Sequence, residues 1–572
     1  MSVYKNSSVH AIQAMGDKIA SKELAISAKV NTVPGSLKVL ENEDECVQIS
    51  RQIGYPVMIK ASAGGGGKGM RIAHNDQEAR TGFRLSTEEA RSSFGDTRVF
   101  VEKFVEVPRH IEIQVMGDNH GNVVALPERE CSIQRRNQKV LEEAPSSFLD
   151  APTRAAMQQQ AVDLAKAVGY NSAGTVEFLC DKNRNFYFLE MNTRLQVEHP
   201  ITELITGVDL VEQMIRVAAG HPLPKDWLDR AKPGLPFKGW AHEARVYAED
   251  PTRGFLPSIG RLTTYLEPKS GPEVGVRCDT GVVQGSEISM YYDPMICKLC
   301  TYAPTRQEAL DKMEIALDNY MIVGVGHNIP FLRDVIRDNR FKEGRLTTNY
   351  IPEQYPEGFT RVKLTSDERV KLAAITAQMD IARQEKVAST GDGSEEIENE
   401  LFIIIEKEPY KVVVDTETGA TTVQAPGSDK PVAVNLQSFE WPTDGPIAQV
   451  SIDNKLFPVQ YHTRLPSGYK LQMCGATLDI IVRNPREQAV AKYMLEKKKA
   501  DTSKYLMSPM PGVLVSVAVK PGDTVYAGQD LCIVEAMKMQ NNLQAPKNGK
   551  VKTVLAKPGQ SLAVDENIIE FE

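Results

Sequence analysis

Cysteine, tryptophan and histidine are scarce in this chain: 572 residues include 8 Cys, 3 Trp and 9 His. Eight cysteines, at positions 46, 131, 180, 278, 297, 300, 474 and 532, are too few for a secreted disulfide scaffold and fit a reducing compartment. The histidines show no metal-ligand spacing. Cys297-Lys-Leu-Cys300 has no second such pair and no histidine pair beside it. The strand-like stretch Met295–Tyr302 sends cysteines three apart to opposite faces, so neither a zinc nor a redox site is expected there. Basic excess is also missing. With 67 basic and 75 acidic residues the net charge is −8, which gives nucleic-acid binding no support. Long apolar runs are absent too; Leu401–Ile405 is among the longest. A membrane-spanning helix needs about 18 apolar residues, so no membrane span is expected. Met1–Ala20 has no apolar signal core and no arginine, hence neither a secretory signal nor a mitochondrial presequence is expected. Val9, Ile12, Met15 and Ile19 follow helical spacing, as if the chain begins inside a domain.

What is present fits several soluble domains. Residues 1 to about 358 alternate helical and strand segments, as in helical Pro152–Val168 and strands Pro56–Lys60, Gly174–Leu179 and Asn185–Glu190. Thr365–Ala388 reads as helix. Ser389–Glu400 is polar and acidic and reads as an exposed linker. Residues 401–484 read as successive short strands, a small antiparallel sheet or barrel. Lys497–Lys504 is a second charged linker. Gly512–Glu535 and Gly549–Glu572 then align without a gap at an offset of 37, with Gly512/Gly549, Lys520/Lys557, Pro521/Pro558 and Gly522/Gly559 coinciding. Two like units predict a quasi-two-fold sandwich over one core. The hairpin between them carries Lys538.

Four motifs carry chemistry. Lys538 lies in Glu535-Ala-Met-Lys-Met539. A lysine on a hairpin tip is ordinarily a solvated charge, but two flanking methionines spend apolar surface unless a partner reads them. Lys60-Ala-Ser-Ala-Gly-Gly-Gly-Gly-Lys68 follows a strand and suits a phosphate nest; a flexible loop is the bland reading. Glu177 and Glu190 lie on two strands joined by the turn Asp181–Arg184. If Cys180 faces Asn185, Glu177 faces Phe188 and Glu190 is its diagonal neighbour on the same face, within about 7–8 Å. Such a pair suits Mg²⁺; two exposed strand acids are the alternative. Asn192-Thr-Arg194-Leu-Gln196-Val197-Glu198 places a guanidinium fork suited to a small planar anion near a carboxylate able to act as general base, where a surface ion pair is the plainer reading.

Through these motifs the chain resembles the biotin-dependent carboxylases. Met15-Gly-Asp-Lys18, Tyr55–Lys60, Glu102-Lys103, Pro108-Arg-His110, Gln134–Lys139, Glu190-Met-Asn192, Arg194–Glu198 and Arg245–Asp250 occur in the family's order. Asn137 points to the branch that serves propionyl-CoA. The resemblance implies a multidomain α+β protein. Residues 1–358 would be an ATP-grasp biotin carboxylase with its C-terminal domain. Residues 359–504 would be a small antiparallel β-barrel with a helix that docks the carboxyltransferase beta subunit. Residues 505–572 would be a flattened β-sandwich biotinyl domain. It further implies that Lys18, Lys60, Gly66, Gly67, Glu102, Lys103, Val105, His110 and Asn137 bind ATP together with Glu177 and Glu190. Glu177, Glu190 and Asn192 would hold Mg²⁺ or Mn²⁺. Lys139, Arg194, Gln196, Val197 and Arg245 would bind bicarbonate and biotin. Glu198 would deprotonate bicarbonate, and Arg245 would stabilise the biotin enolate. Lys538 would carry biotin, attached by a biotin protein ligase. The implied reaction is ATP-dependent carboxylation of lysine-linked biotin with bicarbonate, feeding the conversion of propionyl-CoA to methylmalonyl-CoA by a partner subunit in a hetero-oligomer. The implied compartment is the mitochondrial matrix in a eukaryote and the cytoplasm in a bacterium. Family members begin with a further N-terminal subdomain that this sequence is expected to lack. The alternative function is therefore a catalytically weak biotinylated carrier or assembly subunit.

Overall fold

The computed structural model describes residues 9–62, 69–231, 234–390, 397–440, 445–495, 504–536 and 539–572. Gly66, Gly67, Lys68 and Lys538 lie outside the described residues, as do most of the two charged linkers.

A small three-stranded sheet comes first: β1 (Val57–Ala61), β2 (Met70–Ala73) and β3 (Val99–Lys103), ordered β2-β1-β3 and antiparallel. Helices Glu43–Ile53 and Asp76–Phe94 pack against it, each N-capped by an asparagine whose carboxamide accepts from the third helical N–H. Helix Lys18–Ser27 is capped by Asp17, which accepts from the Ile19 and Ala20 amides at 2.9 and 3.0 Å.

The second sheet has eight strands. In chain order they are β4 (Arg109–Gly117), β5 (Val123–Arg135), β6 (Gln138–Ala144), β7 (Ser172–Cys180), β8 (Phe186–Asn192), β9 (Trp240–Tyr247), β10 (Val276–Thr280) and β11 (Met295–Ala303). In space the order is β10-β11-β9-β6-β5-β4-β7-β8. Strands β5 and β6 pair at Arg135 and Gln138, and the intervening Arg136 and Asn137 both have positive φ, 50° and 64°. A two-residue turn of that type requires left-handed backbone at both positions, which asparagine tolerates well. Cys297 and Cys300 do face opposite ways from β11, into two different apolar clusters.

Nine further strands between Glu400 and Arg483 form one antiparallel sheet. Its edge strands, Val432–Val434 and Leu436–Glu440, are separated by one residue in sequence. The sheet therefore curls nearly closed around helix Ser366–Thr390, which buries Ala373, Ala374, Ile375, Ala377 and Met379. This barrel is not an independent bead. Its interior and that of the preceding segment form one continuous core, from Ile133 and Leu299 to Val459 and Ile480. Gln460 Nε2 spans the junction, donating to the Asp318 and Tyr320 carbonyls at 2.9 and 3.1 Å.

The repeat folds as two four-stranded sheets that exchange strands. One contains Gly512–Val517 and Asp530–Ala536 with Ser561–Leu562 from the second repeat; the other contains Gly549–Val554 and Asn567–Phe571 with Thr524–Val525 from the first. Strands Asp530–Ala536 and Met539–Gln544 pair as Ala536↔Met539, on either side of the Met537-Lys538 dipeptide.

Gly174 in β7 has no room for a side chain: a Cβ there would lie 2.6–2.8 Å from the ring and hydroxyl of Tyr170. That ring is buried, and its hydroxyl donates to the Ala173 carbonyl at 2.7 Å. Gly174→Ala is expected to destabilise the large sheet by about 1–3 kcal/mol, read as a lowered urea midpoint.

Candidate active site

Four strands of the large sheet bring one row of charged side chains together. Arg129 on β5 is the cross-strand partner of Glu112 on β4, Glu112 of Glu177 on β7, and Glu177 of Glu190 on β8. Directly paired residues project to the same face, so the four form a line across the sheet. The next row is Gln114, Thr175 and Asn192. This corrects the register expected from the sequence. Cys180 pairs with Phe186 rather than Asn185, and a bulge between Glu177 and Phe178 shifts the ladder once more. Glu177 therefore faces Glu190 itself, not Phe188. The extra residue in β8 moves the second carboxylate from a diagonal to a direct contact.

Arg129 anchors the row. It is wholly buried and makes five hydrogen bonds: to Glu112 (2.5 Å), Gln114 (2.8 Å), Thr175 (3.2 Å), Gln196 (3.2 Å) and Thr202 (2.9 Å). Above the row stands the Lys139 ammonium. It bonds Glu112, Glu177 at 3.0 Å and Glu198 at 2.5 Å. Burial alone would depress this ammonium, but the three carboxylates hold it well above its ordinary range. Arg245 on β9 donates to Glu142 at 2.6 Å and to Glu198 at 2.9 Å. Burial opposes ionisation of Glu198, yet Lys139 and Arg245 keep its carboxyl well below the usual range, so it is a carboxylate. Burial pushes Glu142 the other way, up to about 7, against the pull of Arg245.

Glu177 and Glu190 differ in the same manner. Glu177, though buried, is held low by Lys139 and by His110, whose Nε2 lies 3.0 Å away. Glu190 is raised by burial and by the Glu177 charge opposite. Asn192 Nδ2 reaches Glu177 at 3.0 Å and Glu190 at 3.5 Å, and Gln196 Nε2 reaches Glu177 at 2.8 Å. Two facing carboxylates, one destabilised by the other, suit a divalent cation with oxygen ligands. The tighter group His110, Glu112 and Glu177, with ligand atoms within 4.8 Å of each other, already holds the Lys139 ammonium.

The small sheet supplies the opposite charge. Lys60 on β1 and Lys22 share Glu102 on β3, Lys22 at 2.9 Å. Lys18 lies one helical turn before Lys22; burial and the neighbouring Lys60 depress its ammonium. Lys22 and Lys60 on one carboxylate, with Lys18 nearby donating to the Ala61 carbonyl, concentrate positive charge as a phosphate site requires.

Other sequence-selected residues stand apart. Lys103 donates to the Gly54 and Tyr55 carbonyls at 3.0 and 2.9 Å. Val105 follows β3 in a half-buried segment, and Asn137 is exposed at its turn. Arg194 is exposed and donates to the Leu195 carbonyl at 3.4 Å. Val197 takes part through its carbonyl, which accepts from Lys298 at 3.2 Å. Sequence reasoning missed Arg129, Glu112, Glu142, Lys22 and Lys298. Only Lys22 had a local signal, its one-turn spacing from Lys18; the others are recruited by strand pairing.

An ATP-grasp site joined to a biotinyl sandwich defines a biotin-dependent carboxylase subunit. The family model for the "Carbamoyl-phosphate synthase L chain, ATP binding domain" matches residues 17–226, and that for the "Biotin carboxylase C-terminal domain" matches 243–353. The "Propionyl-coenzyme A carboxylase BT domain" matches 372–497 and "Biotin-requiring enzyme" matches 504–571. The propionyl-CoA carboxylase alpha chain of Ruegeria pomeroyi is 53% identical over 98% of this chain and 84% of its own length. The mitochondrial human alpha chain is 52% identical over 100% and 78%. Among solved structures, Campylobacter jejuni biotin carboxylase aligns with TM-score 0.58 and 41% identity over 61% of this chain and 76% of its own. The biotin carboxylase domain of Hydrogenobacter thermophilus 2-oxoglutarate carboxylase gives 0.57 and 46% over 60% and 74%. The chain belongs to the propionyl-CoA carboxylase alpha chain family. It is a ligase that carboxylates biotin at the expense of ATP.

Removing Arg129 leaves buried Glu112 with Lys139 as its remaining cation and takes a donor from Gln114, Thr175, Gln196 and Thr202. Arg129→Met is expected to cost about 3–5 kcal/mol in chemical denaturation, chiefly through these buried acceptors left unsatisfied.

Proposed function

We propose the following division of labour among this chain's residues. The observation that carries it is Glu198, an ionised buried carboxylate held between Lys139 and Arg245 beside the carboxylate row. Lys18, Lys60 and the glycine-rich stretch with Gly66 and Gly67 bind the nucleotide phosphates, and Glu102, Lys103, Val105, His110 and Asn137 complete the nucleotide site. Glu177, Glu190 and Asn192 hold Mg²⁺, which supplies charge neutralisation to the phosphates; the Hydrogenobacter structure was solved with MgADP and bicarbonate. Bicarbonate enters against Lys139, Arg194, Gln196 and Val197. As the anion draws the Lys139 and Arg245 hydrogen bonds toward itself, Glu198 loses the partners that depress its basicity. It then accepts the bicarbonate proton while the bicarbonate oxygen attacks the γ-phosphorus and ADP leaves, giving carboxyphosphate. Arg245 keeps its positive charge against the biotin site. Biotin, held as an amide on Lys538 by a biotin protein ligase, supplies the nitrogen that accepts CO₂ and the arm that carries it.

The modules follow the same reading: residues 1–358 perform the carboxylation, 359–504 tether a carboxyltransferase beta subunit in a hetero-oligomer, and 505–572 carry biotin. The partner's reaction converts propionyl-CoA to methylmalonyl-CoA. The relatives with mitochondrial names support a matrix location in a eukaryote.

Glu198→Gln is expected to abolish bicarbonate-dependent ATP hydrolysis while nucleotide binding persists; parental turnover would remove Glu198 from the site. Mass spectrometry after expression with a biotin ligase is expected to find the biotin amide on Lys538 and none in Lys538→Arg, whose guanidinium cannot form it.

A further inference from the structure

Lys298 on β11 stands directly opposite Arg245 on β9. Like charges on opposed residues destabilise a sheet, so this pair needs compensation. Arg245 has Glu142 and Glu198. Lys298 has Asp279 on β10 at 3.2 Å, and it also donates Nζ to the Val197 carbonyl at 3.2 Å. Asp279 is in turn gripped by Arg277 through two bonds, 2.8 and 3.0 Å, and the remaining nitrogen of Arg277 reaches Glu203 at 2.8 Å. Val197 immediately precedes Glu198, and Glu203 lies in helix His199–Thr206, which immediately follows it. Two strands from the C-terminal half of the sheet thus hold the chain on both sides of one carboxylate.

We propose that Lys298 is a positioning residue for bicarbonate: through the Val197 carbonyl it fixes the Gln196–Glu198 turn, and Asp279, oriented by Arg277, fixes Lys298. This rests on the reading of that turn as the bicarbonate site. The Val197 carbonyl sits one peptide from Glu198, so its fixation sets the direction in which the Glu198 carboxylate leaves the backbone. Without it, Glu198 can follow Lys139 or Arg245 instead of meeting both. The nucleotide lysines Lys18, Lys22 and Lys60 belong to the small sheet and its helix, outside this grip. Loss of Lys298 does not strand Asp279, which keeps Arg277, so the fold has a route to survive the change.

Bicarbonate-dependent ATP hydrolysis of the assembled enzyme tests this, comparing Lys298→Met, Lys298→Arg and Glu198→Gln. Lys298→Met should lose roughly 10- to 100-fold in kcat/KM for bicarbonate with the KM for ATP changed by less than about twofold. Lys298→Arg, which keeps a cation within reach of both partners, should recover most of that loss. Parental kcat/KM for bicarbonate in Lys298→Met would overturn the proposal. So would an equal loss toward ATP and bicarbonate that Lys298→Arg fails to rescue, since that is the behaviour of a buttress. Parental turnover in Glu198→Gln is a distinct failure, of the site reading itself.

Discussion

The buried Arg129 guanidinium is the constraint on which the site depends. A charge removed from water is tolerated only when it is paired and its hydrogen bonds are filled. Here one carboxylate, two carboxamide oxygens and two hydroxyls, drawn from β4, β7, the turn before Glu198 and the helix after it, fill them. A slip of one residue in any of the contributing strands would turn its polar atom to the far face and leave the guanidinium short. The arginine therefore specifies alignment across the sheet more than it adds stability. The Arg129–Glu112–Glu177–Glu190 row is the visible result.

From that row outward, charge is graded. The small sheet holds Lys22 and Lys60 on Glu102 with Lys18 nearby, the row holds facing carboxylates, and Lys139 and Arg245 flank Glu198. Neighbouring acids of the same type are driven apart: Glu177 and Glu198 are held low by cations, while Glu190 and Glu142 are raised by burial. Such separation lets one cleft hold a metal, an anion and a proton acceptor at once.

Much of this was legible in the sequence. Glu177, Glu190, Asn192, Gln196 and Glu198 all converge, because each lies in a short segment whose local spacing fixes its face. The biotinyl repeat was legible for a simpler reason, since its symmetry is written in the chain at an offset of 37. Register was not. The bulge in β8 is a one-residue event with no local signature, and it moved Glu177 from Phe188 to Glu190. Arg129 and Lys298 were invisible because their partners lie up to about a hundred residues away and only strand order brings them together. Asn137 looked like a family marker, yet its place in a left-handed two-residue turn accounts for an asparagine on backbone grounds alone.

The core that runs without interruption from the large sheet into the nine-stranded barrel ties two jobs to one folding event. A flaw deep in the barrel loosens the same apolar mass that backs β9 and β11, so a lesion in the barrel can surface as failed ATP chemistry. The biotinyl sandwich keeps its own interior; among the described residues Leu256 rests against it and Arg253 donates to the Pro509 carbonyl. In a population of inherited variants, two failure modes would separate by core membership rather than by distance from the active site: one silences catalysis while biotin is still attached, the other spares catalysis and loses the carrier.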